Sequence, residues 1–273
     1  MRRFFRLLWR GGQLVEFLFQ SKSRYRVHSP FVYRFLERVI LNPAFPSELK
    51  EIEVFRSLLA KEKKRTLRIT DFGSGYSGDG KSFRVVSMSE VIRSSARRQA
   101  SGRFLYHTIR FLKPRSVLEL GTNLGFSTLY IAMAMASHSL LITVEGDPTL
   151  AALAENHFQR FSLPVNPTVV NSPFDQFLFN LNHYPPFDFI FIDGHHHGPS
   201  LLSYLSRLKP HLNPSGGILL DDIRWSRDMF HAFLTLCNDP DFTLTLDLFS
   251  MGFLFYQKPM EKQHFQLFPP LLS

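Results

Sequence analysis

Three carboxylates and three histidines stand out as groups that could do chemistry together. Asp193 closes the apolar run Phe187-Asp-Phe-Ile-Phe-Ile192, and Asp221 and Asp222 close Gly216-Gly-Ile-Leu-Leu220. Acids at the tips of two neighbouring parallel strands would stand about 4.8 Å apart, and unpaired they would repel one another. A hard divalent cation with oxygen ligands relieves that repulsion, and it would also lower the pKa of a bound hydroxyl. The competing expectation is that Asp193 touches a cofactor while Asp221 or Asp222 caps the helix after Trp225. His195-His196-His197 follow Gly194 directly. An imidazole titrating near neutrality suits a general base that takes a hydroxyl proton. Zinc is not expected, because the side chains of adjacent histidines diverge.

A second constellation lies earlier in the chain. Ser116-Val-Leu-Glu119-Leu-Gly121-Thr-Asn-Leu-Gly125-Phe-Ser127 reads as a buried strand, a glycine turn and a helix. Such a turn brings backbone against a nucleotide-like ligand, with Gly121 free to turn tightly and Gly125 leaving room for close approach. Leu140-Leu-Ile-Thr-Val-Glu145 then sets a carboxylate at the next strand tip, where it can accept hydrogen bonds from both hydroxyls of a ribose. The alternative is that Glu145 caps the helix beginning near Pro148. A dinucleotide and S-adenosylmethionine share this geometry, but G-x-G-x-x-G is absent because position 123 is Asn.

These residues need a sheet to hold them. The pattern predicts strands at Ser116–Leu120, Leu140–Glu145, Thr168–Asn171, Phe187–Asp193 and Gly217–Asp221, with helices near 126–136, 148–158, 173–182, 198–208 and 227–237. Alternation of this kind implies an α/β fold with a mainly parallel sheet covered on both faces. Phe242–Phe249 and Phe253–Gln257 form an antiparallel hairpin at its end. Ahead of it, Ser29-Pro30 and Ser47 open helices, and Gly102–Leu112 is a third. The expected division is a basic, mainly helical accessory segment over 1–112, a ligand-binding domain over 113–260 and a tail over 261–273.

At this point the chain resembles the class I S-adenosylmethionine-dependent methyltransferases. The match runs through Glu119-Leu-Gly121-Thr-Asn-Leu-Gly125-Phe-Ser127, Val144-Glu145-Gly146-Asp147, Phe187–Gly194, Gly216–Asp222 and the final hairpin. Within that class it is similar to the small-molecule O-methyltransferases of the catechol, caffeoyl-CoA and sugar kinds. The resemblance implies a Rossmann-like sheet, S-adenosylmethionine as cofactor and a small-molecule hydroxyl as substrate. It assigns Glu119, Gly121, Thr122, Asn123, Gly125 and Ser127 to the methionine side of the cofactor. Glu145 and Gly146 fall to the ribose, Ser172 to the adenine border, and Asp193 to a further cofactor contact. It also implies Mg²⁺ on Asp193, Asp221 and Asp222, and points to His196, then His195, as the base beside Asp193. Amino-group methyltransferases carry [DN]-P-P-[YF] where this chain has Asp193-Gly-His-His, so oxygen is the expected acceptor.

The bulk figures set the remaining bounds. Of 273 residues, 32 are Lys/Arg and 23 Asp/Glu, a net charge of +9. Residues 1–116 hold 25 Lys/Arg against 9 Asp/Glu, and 117–273 hold 7 against 14, so the charge is segregated along the chain. Packing of the basic N-terminal helix on its own domain is the expectation, a peripheral membrane contact through it is the alternative, and nucleic acid is not expected because no RNA-binding motif accompanies the charge. A non-catalytic protein binding RNA or a membrane surface on the same scaffold is the alternative to an enzyme. One cysteine, Cys237, excludes an internal disulfide and fits a reducing, cytoplasmic setting. Met1-Arg-Arg-Phe-Phe-Arg-Leu-Leu-Trp-Arg10 has its apolar runs broken by Arg6 and Arg10, which argues against a signal peptide or spanning helix. A homodimer is expected from the resemblance. Asp71-Phe-Gly-Ser-Gly-Tyr-Ser-Gly78 is either a decoy of the cofactor turn or part of a lid over the active site, which together with Arg24, Arg26 and His28 would contact substrate.

Overall fold

Uninterrupted apolar runs become the buried strands of this chain, and capping residues fix where its helices begin. The structure, a computed structural model, describes residues 2–21, 27–70, 83–95, 99–256 and 261–268, with side chains described from residue 6 and not at 94–95. Arg24, Arg26 and the Asp71–Gly78 segment lie outside the described residues. In chain order the first elements are α1 (Arg2–Gln20), α2 (Pro30–Phe35), α3 (Lys50–Leu59), β1 (Thr66–Thr70), β2 (Phe83–Ser87), α4 (Met88–Ser95) and α5 (Gln99–Leu112). Next come β3 (Ser116–Leu120), α6 (Phe126–Ala134), β4 (Leu140–Glu145), α7 (Pro148–Phe158), β5 (Thr168–Asn171) and α8 (Phe174–Phe179). The last are β6 (Phe187–Ile192), α9 (Gly198–Leu208), β7 (Leu212–Leu220), α10 (Arg227–Asn238), β8 (Leu244–Asp247), β9 (Gly252–Phe255) and β10 (Gln263–Gln266).

The chain divides into two compact units, one of Met1–Leu41 with Pro186–Ser273 and one of Asn42–Pro185. The second runs across residue 112, so the compact units do not part where the change of pattern suggested. The reason is local: α5 packs on α6 so closely that a Cβ at Gly102 would stand 2.2 Å from the Tyr130 ring. Tyr130 in turn donates its hydroxyl to Glu53 on α3, and Tyr106 donates to Glu48 at 2.6 Å.

In this unit β3, β4 and β5 are parallel neighbours, with Leu120 opposite Val144 and Glu145 opposite Asn171. Every residue of β3 is buried. A parallel strand covered on both faces needs such a run. The unit also holds an antiparallel hairpin of β1 and β2, Thr66 opposite Ser87. Thr66-Leu-Arg-Ile-Thr70 alternates exposed and buried, the period of a half-buried strand, inside a segment expected to be helical.

The other unit carries β10-β8-β9-β7-β6 in spatial order. β6 and β7 are parallel, β9 runs antiparallel to both β7 and β8, and β10 lies parallel to β8. The terminal hairpin is thus present. The segment expected to be a tail instead supplies β10, with Phe265 and Leu267 buried. Cys237 is a buried thiol on α10, and burial pushes its pKa up to about 12. Among the described residues no helix is long and apolar enough to cross a membrane.

One buried ion pair organises this unit. Arg224 donates to both carboxylate oxygens of Asp247, each at 2.7 Å, and to the Phe249 carbonyl at 2.9 Å. Its guanidinium lies 4.2 Å from the Phe230 ring centroid and 5.3 Å from that of Phe17 on α1. Asp247→Ala should therefore lower the unfolding free energy by about 3–5 kcal/mol, because it strands a buried cation. Urea unfolding checks this, and a loss below about 1 kcal/mol would show that the pair is dispensable.

Candidate active site

The residues read as functional fall into two clusters, one in each compact unit. In Asn42–Pro185 the centre is the turn that leaves β3. Gly121 and Gly125 both have positive φ, 110° and 82°, a region open to glycine at little cost. The N–H groups of Gly121 and Thr122 donate to the Val144 carbonyl at 3.0 and 3.2 Å, which folds the turn back on β4. Gly125 is also a packing requirement, since a Cβ there would stand 2.5 Å from the Phe158 ring.

Two acids are built into this turn in different ways. Glu119 is fully buried on β3, where Thr128 donates to its Oε2 and Thr143 does so at 2.7 Å. The Thr122 and Thr143 hydroxyls are 2.6 Å apart, so Glu119, Thr122, Thr128 and Thr143 form one polar network in an apolar core. Glu145, at the tip of β4, accepts the Asn123 N–H on Oε2 at 2.7 Å and the Asp147 N–H on Oε1 at 2.9 Å. Burial raises its pKa, against these backbone N–H groups, which favour the charged form. A carboxylate offers about four acceptor sites, and those left beside the Asn123, Asp147 and Gly146 N–H groups are what a vicinal diol would engage.

Glu145 is not the cap of the following helix. Asp147 is: it accepts the Leu150 N–H at 2.9 Å and, through its other oxygen, the Thr70 N–H at 2.6 Å. The capping alternative for Glu145 is thereby removed. Asp147 was missed as a structural residue, although Asp147-Pro148 is the signature of an N-cap followed by proline in the first turn. Gly146 and Ser172 close the same corner. Ser172 donates its N–H to the Glu145 carbonyl at 3.0 Å, and the Asn171 side chain donates to the carbonyls of Glu145 and Gly146. Ser127 is buried in the first turn of α6.

The second cluster, in the other unit, gathers at the ends of β6 and β7. The Asp221 N–H donates to the Ile192 carbonyl at 2.9 Å, which sets the Asp193 and Asp221 ends side by side as expected of adjacent strands. Three hard oxygen donors suit Mg²⁺ in kind, yet among the described residues no group of three His, Cys, Asp or Glu side chains is drawn together so as to hold a metal. The arrangement as it stands is a pair instead: His196 Nε2 is 3.9 Å from Asp222 Oδ2. That is close enough for attraction and beyond hydrogen-bond distance.

The three histidines have separate partners. His195 Nδ1 is 2.6 Å from the Tyr204 hydroxyl, and His197 Nδ1 is 2.9 Å from the Ser200 hydroxyl. The His196 ring lies 5.2 Å from Trp225, and its Nδ1 is buried with no hydrogen-bond partner among the described residues. Trp225 in turn carries the Arg6 guanidinium 4.2 Å from its ring centroid. Tyr204, Trp225 and Arg6 were not singled out as site residues from the sequence, because an aromatic or arginine on an amphipathic helix (Tyr204 on α9, Arg6 on α1) or in a turn (Trp225, before α10) gives no signal there.

A family described as "Methyltransferase domain" matches residues 118–223, a span that includes Glu119, the glycine turn, Glu145, Asp193 and Asp222. Residues 118–223 form a methyltransferase domain. Over this domain the resemblance to class I methyltransferases is borne out. The chain is similar to the catechol O-methyltransferase of Niastella koreensis, 35% identical over 95 residues, which are 34% of this chain and 43% of that protein. It thus spans less than half of that curated relative. Among solved structures it is similar to the O-methyltransferase of Bacillus cereus in complex with S-adenosylhomocysteine, at a TM-score of 0.54 and 18% identity, over 82% of this chain and 95% of that one. It is also similar to the S-adenosylhomocysteine-bound methyltransferase of Podospora anserina, at 0.58 and 17%, over 85% and 97%. At these identities the structures speak for the fold of the methyltransferase domain, the Rossmann-like α/β class.

Because its carboxyl pKa is raised on folding, Glu145 costs stability once it ionises: the folded state holds the proton longer than the unfolded state, so stability falls as pH rises through the raised value. Wild-type protein should therefore lose stability relative to Glu145→Gln as pH climbs out of the ordinary carboxylate range. Urea unfolding of both proteins across acid to neutral pH checks this, and a gap that does not change with pH would refute it.

Proposed function

We propose that this chain is an S-adenosylmethionine-dependent O-methyltransferase acting on a hydroxyl of a small molecule. The observation that carries the reading is Glu145: a buried carboxylate at a strand tip, fixed by two backbone N–H groups beside a two-glycine turn, inside the span that matches methyltransferases. When bound, the cofactor supplies an electrophilic methyl group on a sulfonium. Glu145 would accept the ribose hydroxyls, while the Gly121–Gly125 turn gives backbone close access to the methionine side, with Glu119 holding that turn in place. The Ser172 corner would border the adenine.

For the transfer, the substrate hydroxyl must lose its proton as its oxygen takes up the methyl group. His196 would receive that proton on its imidazole ring. Asp222 faces Nε2 of that ring and would favour the imidazolium that results. His195, engaged with Tyr204, is the weaker candidate. The related proteins of Bacillus cereus and Podospora anserina, whose names describe S-adenosylhomocysteine complexes, support the cofactor.

A metal-assisted form of the same reaction is favoured by one observation, the Asp221 bond to Ile192 that aligns the two strand ends. Mg²⁺ on Asp193, Asp221 and Asp222 would orient the hydroxyl and lower its pKa. These acids are not gathered as ligands among the described residues, so the metal route needs them to move together.

Calorimetric titration with S-adenosylhomocysteine, with and without EDTA, tests the reading. Micromolar binding is expected, weakened about 100-fold or more in Glu145→Ala. No binding in either condition would sink the reading and favour a non-catalytic surface-binding protein. With an accepted hydroxyl substrate, His196→Ala should lower kcat by about 10²–10⁴-fold and leave cofactor affinity alone. Loss of turnover in EDTA would instead establish the metal route.

A further inference from the structure

Helix α1 has two apolar faces, and its own unit covers only one. At 100° per residue, Trp9 and Phe17 lie inward: Trp9 meets Phe230 at 6.3 Å and Phe17 meets Phe249 at 5.4 Å. On the opposite side Leu7, Leu8, Val15, Leu18 and Phe19 are 60, 58, 56, 48 and 87% exposed. They fall within one arc of about 140° that also holds Gly11 and Gly12, where an added Cβ would meet nothing within 4 Å. No charged position interrupts that arc. A contiguous apolar face of this kind on a soluble domain marks an interaction site.

We infer that this outward face of α1 rests on an anionic membrane surface, with the helix lying in the plane of the interface. The charge of the helix decides between occupants. α1 contains Arg2, Arg3, Arg6 and Arg10 against Glu16 alone, and positions 3 and 10 run along one border of the apolar arc. Arginine there can bury its stem and keep its charge at headgroup level. A second copy of the chain, meeting this face by two-fold symmetry, would set the same cationic helix against itself. Anionic lipid offers the opposite charge next to an apolar layer, the combination that holds interfacial helices. The helix would lie on the bilayer without crossing it, in keeping with the absence of any spanning helix among the described residues. This inference is independent of the proposed methyl transfer.

Vesicle co-sedimentation of the full chain tests it. Binding to phosphatidylcholine vesicles containing about a third phosphatidylserine should exceed binding to pure phosphatidylcholine at least about tenfold, and should weaken as salt rises. The triple variant Leu7→Ser, Leu18→Ser, Phe19→Ser should lose that binding about tenfold or more with an unchanged melting temperature, since all three side chains are exposed. Failure of the wild type to bind would overturn the inference, and so would equal binding by the variant. A dimer in lipid-free solution that the triple variant abolishes, without vesicle binding, would overturn it in favour of a second copy.

Discussion

The Arg224–Asp247 pair is the constraint on which the Asp221–Trp225 end of its unit depends. Removing a guanidinium and a carboxylate from water is expensive, and the cost is met only by close geometry with further hydrogen bonds. Here the geometry is bidentate, and the Phe249 N–H adds a bond to Asp247 at 2.9 Å. A buried pair of this kind is often no more stabilising than hydrophobic residues of similar volume, so its consequence is sought in the geometry it imposes. It fixes the segment from Asp221 to Trp225. With Arg224 locked to β8 and ringed by Phe17, Phe230 and Phe249, its neighbours Asp222 and Trp225 have little freedom. His196 faces exactly those two residues. Asp222 holds a positive φ of 50°, a conformation that costs a non-glycine residue energy, and the locked segment is what maintains it.

A similar economy governs the unit that holds the glycine turn. Glu119 and Glu145 are both buried acids, yet their partners differ. Glu119 takes hydroxyl donors from Thr128 and Thr143, side chains of two elements that its bonds hold together. Glu145 takes backbone N–H groups from the turn and from its own strand end. Hydroxyls can rotate and swap partners, whereas backbone donors are fixed by the fold. Glu119 is thus suited to bracing the turn from within the sheet. Glu145 is suited to presenting unused acceptor sites in one orientation, as recognition of a diol demands.

Much of this was legible in the chain. β3, β4 and β5 fall on the residues expected of them, because each is a short apolar run bounded by a polar or turn residue. β7 begins earlier than expected, at Leu212, since Asn213-Pro-Ser reads as a loop, and the ladder to β6 shifts register between Phe187 and Phe189. β10 went unread: Gln263-His-Phe-Gln266 has one apolar residue in four, and its place beside β8 is set by tertiary pairing. The β1–β2 hairpin was hidden for another reason. β2 is mostly exposed, with Val85 at 69%, so no apolar stripe announced it. In the site, residue types and order along the strands were readable, because acids at strand tips are a local feature. The partners of His196 were not, since Trp225, Asp222 and Arg6 come together only through folding.

The charge asymmetry of the sequence acquires a different meaning once the compact units are known. Residues 1–41 carry nine Lys/Arg against two Asp/Glu, and 186–273 carry six against nine, yet they belong to one unit. Asn42–Pro185 holds 17 against 12. The basic half is therefore no separate basic domain. The positive N-terminal stretch is folded onto the acidic end of the chain, and Arg6 over Trp225 is one place where it enters that surface. Packing of this kind accounts for one face of α1 and leaves the other as apolar as before. A helix that only covers its own unit carries polar residues outward; this one carries leucine, valine and phenylalanine there, and that is the feature from which the membrane contact is inferred.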